Sequence, residues 1–147
     1  MLFIRSIWLE MKGVLRTARH ILNVELEPLN LSGAEGDILF LLLTGSNGTH
    51  QEQLAEQLDI GKAAVSRVVK SLELKGYVQR SRQDKDKRAY IVLLTTKANL
   101  ISDEVTGIYN RLYDFVRTGI PDEEFRRIES MLNQIGKNLQ SLRDHHA

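Results

Sequence analysis

The stretch Lys62-Ala-Ala-Val-Ser-Arg-Val-Val-Lys-Ser-Leu-Glu-Leu-Lys75 runs into Gly76 and then Tyr77-Val-Gln-Arg-Ser81, and the hydrophobic period changes at the glycine. At roughly 100° per residue, Lys62, Ala63, Ser66, Arg67 and Lys70 fall within about 140° of one another. Val65, Val68, Val69 and Leu72 occupy the opposite half of the wheel. The apolar half must face a core. The other half is small and basic, and Glu73, late in the segment, is its only acid. Gly76 suits the left-handed position that ends a helix. Tyr77–Ser81 and Ala89-Tyr-Ile-Val-Leu-Leu94 are rich in β-branched and aromatic residues and read as two strands. The charged segment Arg82-Gln-Asp-Lys-Asp-Lys-Arg88 between them reads as the loop of a hairpin.

Working outward, Leu58-Asp-Ile-Gly61 is a tight break before the basic helix. Thr49-His-Gln-Glu52 is a capping-box pattern opening a short helix over about 50–57. Ser32-Gly-Ala-Glu35 is another, opening a very apolar helix over about 33–43. The order helix, helix, short break, helix, hairpin over residues 33–94 is that of a winged helix-turn-helix. A long amphipathic helix precedes it over residues 2–28, with Ile4, Trp8, Met11, Leu15, Ala18, Leu22 and Leu26 at helical steps, broken by Pro28 and Asn30. Helical period returns at Thr95 or Thr96 and is expected to run to about Arg117, where Gly119 stops it. A last helix is expected over about Pro121–Leu142, and Asp144-His145-His146 beyond it reads as a frayed tail. The fold expected is mainly α with a small β-hairpin wing. Its parts are an N-terminal helix (1–30), a winged module (31–95) and C-terminal helices (96–147). The terminal helices carry more apolar surface than the module can cover. They are expected to pack on each other and on a second copy as a homodimer, an intramolecular bundle being the alternative.

At 147 residues the chain is long enough for one ordinary domain without staples. It has no cysteine, which excludes disulfides, thiolate metal sites and a Cys nucleophile. The longest clean apolar run, Ile38–Leu43, is far short of a membrane span, and Met1–Trp8 lacks the pattern of a signal peptide. A cytoplasmic location and no membrane partner are expected. The net charge is +1, yet residues 61–90 carry +6 and the remainder −5. Such concentration of positive charge is what a local polyanion site requires, although solvated surface lysines would give the same count.

The residue types suit DNA. Ala63 and Ala64 let a helix N-terminus approach base edges closely, within a major groove about 12 Å wide. Arg67 can pair bidentately with guanine, Ser66 can serve a base or a phosphate, and Lys62 and Lys70 suit phosphates. A basic loop of Arg82, Lys85, Lys87 and Arg88 can reach a minor groove, where arginine is favoured. Lys85 and Lys87 taken singly read more readily as solvated charges, Arg88 less so. Asp86 is read as pairing with Arg88 and fixing the guanidinium's direction.

Asp86-Lys-Arg88, then five residues, then Leu94-Thr95, resembles the D-x-R-x5-L-T signature of the MarR family of transcription regulators. Ala64-Val-Ser-Arg-Val-Val-Lys-Ser-Leu-Glu73 with Lys75-Gly-Tyr-Val78 and Arg80 is similar to that family's recognition helix and first wing strand. Lys97-Ala-Asn99 departs from it, where a glycine often follows the lysine. The resemblance implies a homodimer joined by its terminal helices on a pseudo-palindromic operator in double-stranded DNA, commonly as a repressor. It also implies release by a small, often phenolic anion. In this chain Ser66, Arg67 and Lys70 would then be recognition-helix contacts, Arg88 the wing contact and Asp86 its orienter.

The residues say little about an effector. Trp8, Met11, Arg16, Arg19 and His20 could line a crevice for an aromatic carboxylate, or they could be dimer core and solvated charge. Of the histidines His20, His50, His145 and His146, only those of the tail Asp144-His145-His146, read as frayed, stand in a recognisable ligand spacing, so neither metal nor cofactor is expected. With no Gly-rich phosphate loop, nucleophile elbow or paired carboxylates with a histidine, an enzyme is not expected. The competing readings are a winged-helix interaction module that does not bind DNA and a metal-responsive regulator.

Overall fold

The computed structural model describes residues 2–45, 48–83 and 86–146, without the side chains of 2, 83 and 86–88. Its contacts group into two compact units, residues 1–110 and 111–147. The first begins with α1 (Leu2–Leu26), which closes in a 3-10 turn at Glu27–Leu29 and a left-handed Asn30, φ 58°. Next come α2 (Gly33–Thr44), β1 (Thr49–His50), α3 (Gln51–Leu58), α4 (Lys62–Leu74), β2 (Val78–Gln83), β3 (Asp86–Leu94) and α5 (Thr96–Leu100). Then α6 (Ser102–Val116) crosses the boundary between units, and α7 (Asp122–His146) lies in the second. No helix among the described residues is long and apolar enough to cross a membrane.

Alternating burial explains the core of the first unit. Ile38, Leu39 and Leu42 of α2, Leu54 of α3, Val65, Val69 and Leu72 of α4, and Val78 and Val92 of the hairpin are buried. Each contributes about 1.5–3 kcal/mol by leaving water. The Ser32 cap forms as the sequence implies: Glu35 N–H donates to Ser32 Oγ at 3.1 Å, and Ser32 N–H donates to Glu35 Oε1 at 2.9 Å. Gly36 lets Leu26 and the Tyr109 hydroxyl sit where a Cβ would collide with both. The left-handed Asp59, φ 51°, turns the chain between α3 and α4, and Gly76, φ 84°, turns it from α4 into the hairpin.

Several expectations are corrected. Thr49 does not cap α3. It pairs with Val92, and His50 with Ile91, as a third strand on the free edge of β3, giving the order β1-β3-β2. The helix start moves one residue on, where His50 N–H donates to Gln53 Oε1 at 3.3 Å. The hairpin is longer and its loop shorter than residue character suggests. Arg82 lies on β2, and Asp86, Lys87 and Arg88 lie on β3, because backbone pairing continues to Gln83 opposite Asp86, with an irregularity at Arg82/Gln83.

The helix after the wing is interrupted at Ile101, φ −104° and ψ 9°, whose N–H closes on Ala98 three residues back at 3.2 Å. Neither glycine nor proline marks this break. The short α5 is anchored to the hairpin base instead: Thr95 Oγ1 donates to Gly76 O at 2.6 Å and Lys97 Nζ to Lys75 O at 2.7 Å. The expected tail is helical, since α7 continues through His146.

The stripe on α1 is only partly used within the chain. Leu22 and Leu26 are buried, whereas Ile4 is 62%, Trp8 43% and Leu15 70% exposed. In α7, Ile128, Met131, Leu132 and Leu139 are likewise exposed, and none of its described residues is buried.

Candidate nucleic-acid interface

The burial of α4 follows its wheel. Val65, Val69 and Leu72 are buried and Val68 half-buried, while Lys62, Ala63, Arg67 and Lys70 are exposed on the other side, with Ala64 and Ser66 half-buried between. The predicted residues of this helix therefore share one outward, basic surface. The N-cap is Gly61, which supplies no side-chain acceptor, and the first turn carries no acid. The start of the helix is thus left without a capping side chain or an acidic neighbour in its first turn, an arrangement favourable to anions. Lys62 Nζ lies 3.5 Å from Glu52 Oε1, with both side chains more than 70% exposed. Such a pair is weak and readily exchanged for a phosphate.

The far end of α4 is fixed by a polar cluster that sequence patterns did not reveal. Glu35, buried at the start of α2, accepts from Lys75 Nζ at 2.9 Å and from Ser71 Oγ at 2.8 Å. Lys75 Nζ also donates to Asn30 O at 2.7 Å. Tyr77 OH donates to Leu29 O at 3.2 Å, and Lys97 Nζ lies 4.6 Å from the Tyr77 ring centroid. The exit of α1, the start of α2, the end of α4 and the hairpin base thus meet around one carboxylate. Burial pushes the Glu35 carboxyl up, but the hydrogen bonds from Lys75, the Ser32 backbone and Ser71 prevail and hold it below its ordinary value of 4.5.

A carboxyl depressed by folding stabilises the native state above its unfolded value, and that stabilisation is lost as pH falls through the lower, folded one. The melting temperature should therefore fall below about pH 4.5, and more steeply than in a Glu35→Gln variant. Thermal melts of both proteins between about pH 6 and pH 3 check this, and parallel curves would remove Glu35 from the acid response.

On the wing, Arg82 is exposed and directly opposite Tyr90. Its Nε and Nη2 both donate to the Tyr90 hydroxyl, the former at 2.9 Å. Arg80, one pleat nearer the core, stands with its guanidinium carbon 5.0 Å from the same ring's centroid. Arg80 Nη2 also reaches Glu73 Oε1 at 3.3 Å, and Arg80 N–H donates to Glu73 Oε2 at 3.3 Å. Lys85 lies outside the described residues, as do the side chains of Asp86, Lys87 and Arg88 and with them the expected Asp86–Arg88 pair. The sequence marks Tyr90 only as a strand former. Knowing that it meets Arg82 requires the hairpin register.

A helix pair with a basic second helix, followed by a two-stranded hairpin whose sheet β1 completes, defines a winged helix-turn-helix protein. Residues 29–89 match the MarR family. The chain is 25% identical over 132 residues to the HTH-type transcriptional regulator YybA of Bacillus subtilis, spanning 89% of this chain and 87% of that protein. The crystal structure of a MarR transcriptional regulator from Methanosarcina mazei Go1 superposes with a TM-score of 0.78 at 25% identity, over 94% of this chain and 99% of that one. A MarR family regulator from Listeria monocytogenes, complexed with 26mer DNA, has the same fold with a TM-score of 0.80 at 20% identity, over 90% and 87% of the two chains. The winged module of this chain thus matches the MarR family, and the chain over most of its length is similar to transcriptional regulators.

Proposed function

We propose that this chain is a sequence-specific regulator of transcription that binds double-stranded DNA as a homodimer, acting as a repressor on a pseudo-palindromic operator. The observation that carries the reading is the surface of α4, where Lys62, Ala63, Arg67 and Lys70 stand exposed above buried Val65, Val69 and Leu72. In this reading Arg67 and Ser66 face base edges, Ala63 and Ala64 permit close approach, and Lys62 and Lys70 hold phosphates. The wing, with Arg82, Lys85, Lys87 and Arg88, lies along the flanking minor groove, and Asp86 orients Arg88. The DNA-bound regulator from Listeria, which shares the fold, supports this placement.

The apolar residues left exposed on α1 and on α7 support a dimer built from both terminal regions. A two-fold dimer places its recognition helices about 34–36 Å apart, one turn of the duplex. A small anionic aromatic molecule is the proposed releasing ligand. Of the side chains expected to meet it, Arg19 is held by Asp37 at 2.6 Å, and Asp37 also accepts from the Tyr109 hydroxyl at 2.6 Å. A carboxylate ligand at Arg19 would therefore compete with Asp37.

Salt titration tests the reading against an interaction module. On random duplex DNA the logarithm of affinity should fall linearly with the logarithm of salt, with a slope near −0.9 for each phosphate neutralised. Affinity that does not change between about 50 and 200 mM salt, or no binding at low salt, contradicts it.

A further inference from the structure

Tyr90 stands between two guanidinium groups with different surroundings. Arg80 is largely withdrawn from solvent, its side chain 17% exposed, and is tied to Glu73 in the last turns of α4. Arg82 is exposed, its Nε and Nη2 are drawn to the Tyr90 hydroxyl, and its guanidinium carbon lies 5.0 Å from the ring centroid. Strand register explains this arrangement. Val78 opposite Leu94, Arg80 opposite Val92 and Arg82 opposite Tyr90 lie along one face of the hairpin, which becomes cationic as it leaves the core.

An exposed arginine ordinarily samples many rotamers, and ordering it on a ligand costs side-chain entropy. A tyrosine that accepts two of its donors and offers a ring to its cation removes much of that cost before any ligand arrives. The hydroxyl meets one edge of the guanidinium, and the fork geometry of the group suits two oxygens of a single phosphate.

We infer that Tyr90 is a positioning residue for DNA binding: it holds Arg82 ready on the wing for a backbone phosphate, while Arg80 and Glu73 tie that arrangement to the recognition helix. The inference rests on the proposed function, but it concerns a residue at a position that the D-x-R-x5-L-T signature leaves unspecified. Tyr90 itself touches no DNA in this account. It acts through Arg82, and the Glu73–Arg80–Tyr90–Arg82 succession lets α4 and the wing meet the duplex as one piece.

The test compares the full-length protein with its Tyr90→Phe, Arg82→Ala and doubly substituted variants by anisotropy on one labelled duplex across a salt series. Tyr90→Phe keeps the ring and the strand propensity and removes only the acceptor. It should weaken binding about 3- to 10-fold with an unchanged melting temperature. Arg82→Ala should weaken binding about 10-fold and reduce the magnitude of the salt slope by about 0.9, as expected for one phosphate lost. In the Arg82→Ala background, Tyr90→Phe should have no further effect, since its partner is gone. Wild-type affinity in Tyr90→Phe overturns the inference, as does a loss that persists undiminished without Arg82. A lowered melting temperature with an unaltered salt slope in Arg82→Ala overturns it too, because both residues would then be structural. If the wild-type protein shows no salt-dependent binding, the proposed function itself fails, an outcome distinct from indifference to Tyr90.

Discussion

Arg67→Ala is expected to weaken binding to the operator roughly 10- to 100-fold while leaving affinity for random duplex almost unchanged, since one bidentate base contact is worth about 1–3 kcal/mol. Arg67 is exposed on α4, one turn beyond Ala63 and above buried Val65 and Val69, so its fork extends from a rigid helix. Lys70, exposed a further turn along, is a point charge without the planar fork and suits phosphate. Lys70→Ala should therefore reduce affinity for operator and random DNA by the same factor and lower the salt slope by about one unit. Competition titrations of both variants against the two DNAs separate the roles. Equal losses on both DNAs for Arg67→Ala would remove that residue from base readout.

Lys75→Met is expected to lower the unfolding free energy by about 3–5 kcal/mol, because it leaves a buried carboxylate without its counter-charge. The Glu35 side chain is 6% exposed and that of Lys75 27%, so solvent can replace the ammonium only in part. Ser71 and the Ser32 backbone would still donate to Glu35, but neither carries charge. A domain of this kind is typically stable by about 5–15 kcal/mol, so the loss would be a large fraction of the total. Adding Glu35→Gln should restore much of it, since the uncompensated charge is then gone. Urea denaturation of the single and double variants measures both effects. A loss under about 1 kcal/mol for Lys75→Met would show that the pair is as weak as a surface salt bridge.

The elements that set the site were legible where a local rule governs them. The two-sided wheel of Lys62–Leu74, the Ser32–Glu35 cap and Gly76 each express a preference within a few residues, and each forms as its sequence implies. Elements governed by distant partners were not legible. Thr49 reads as a cap, and only pairing with Val92 makes it a strand. Residues 86–88 are polar enough for a loop, but backbone pairing ignores polarity and extends the wing through them. The break at Ile101 has no glycine or proline behind it and follows from the anchoring of Thr95 and Lys97 at the hairpin base. Glu35 and Lys75 are forty residues apart, and Tyr90 meets Arg82 only through the hairpin register. The basic helix could thus be named from sequence, and the groups that hold it and orient Arg82 could not.

The measurement that tests the central claim most directly is the anisotropy of the purified protein on labelled DNA from immediately upstream of its own gene, against random DNA of the same length at two salt concentrations. A specific regulator should prefer the upstream DNA by roughly a thousandfold or more. It should saturate at two chains per site, with affinity for both DNAs falling steeply with salt. Absence of binding to either DNA even at low salt would contradict the account and leave the basic face of α4 without a nucleic-acid role.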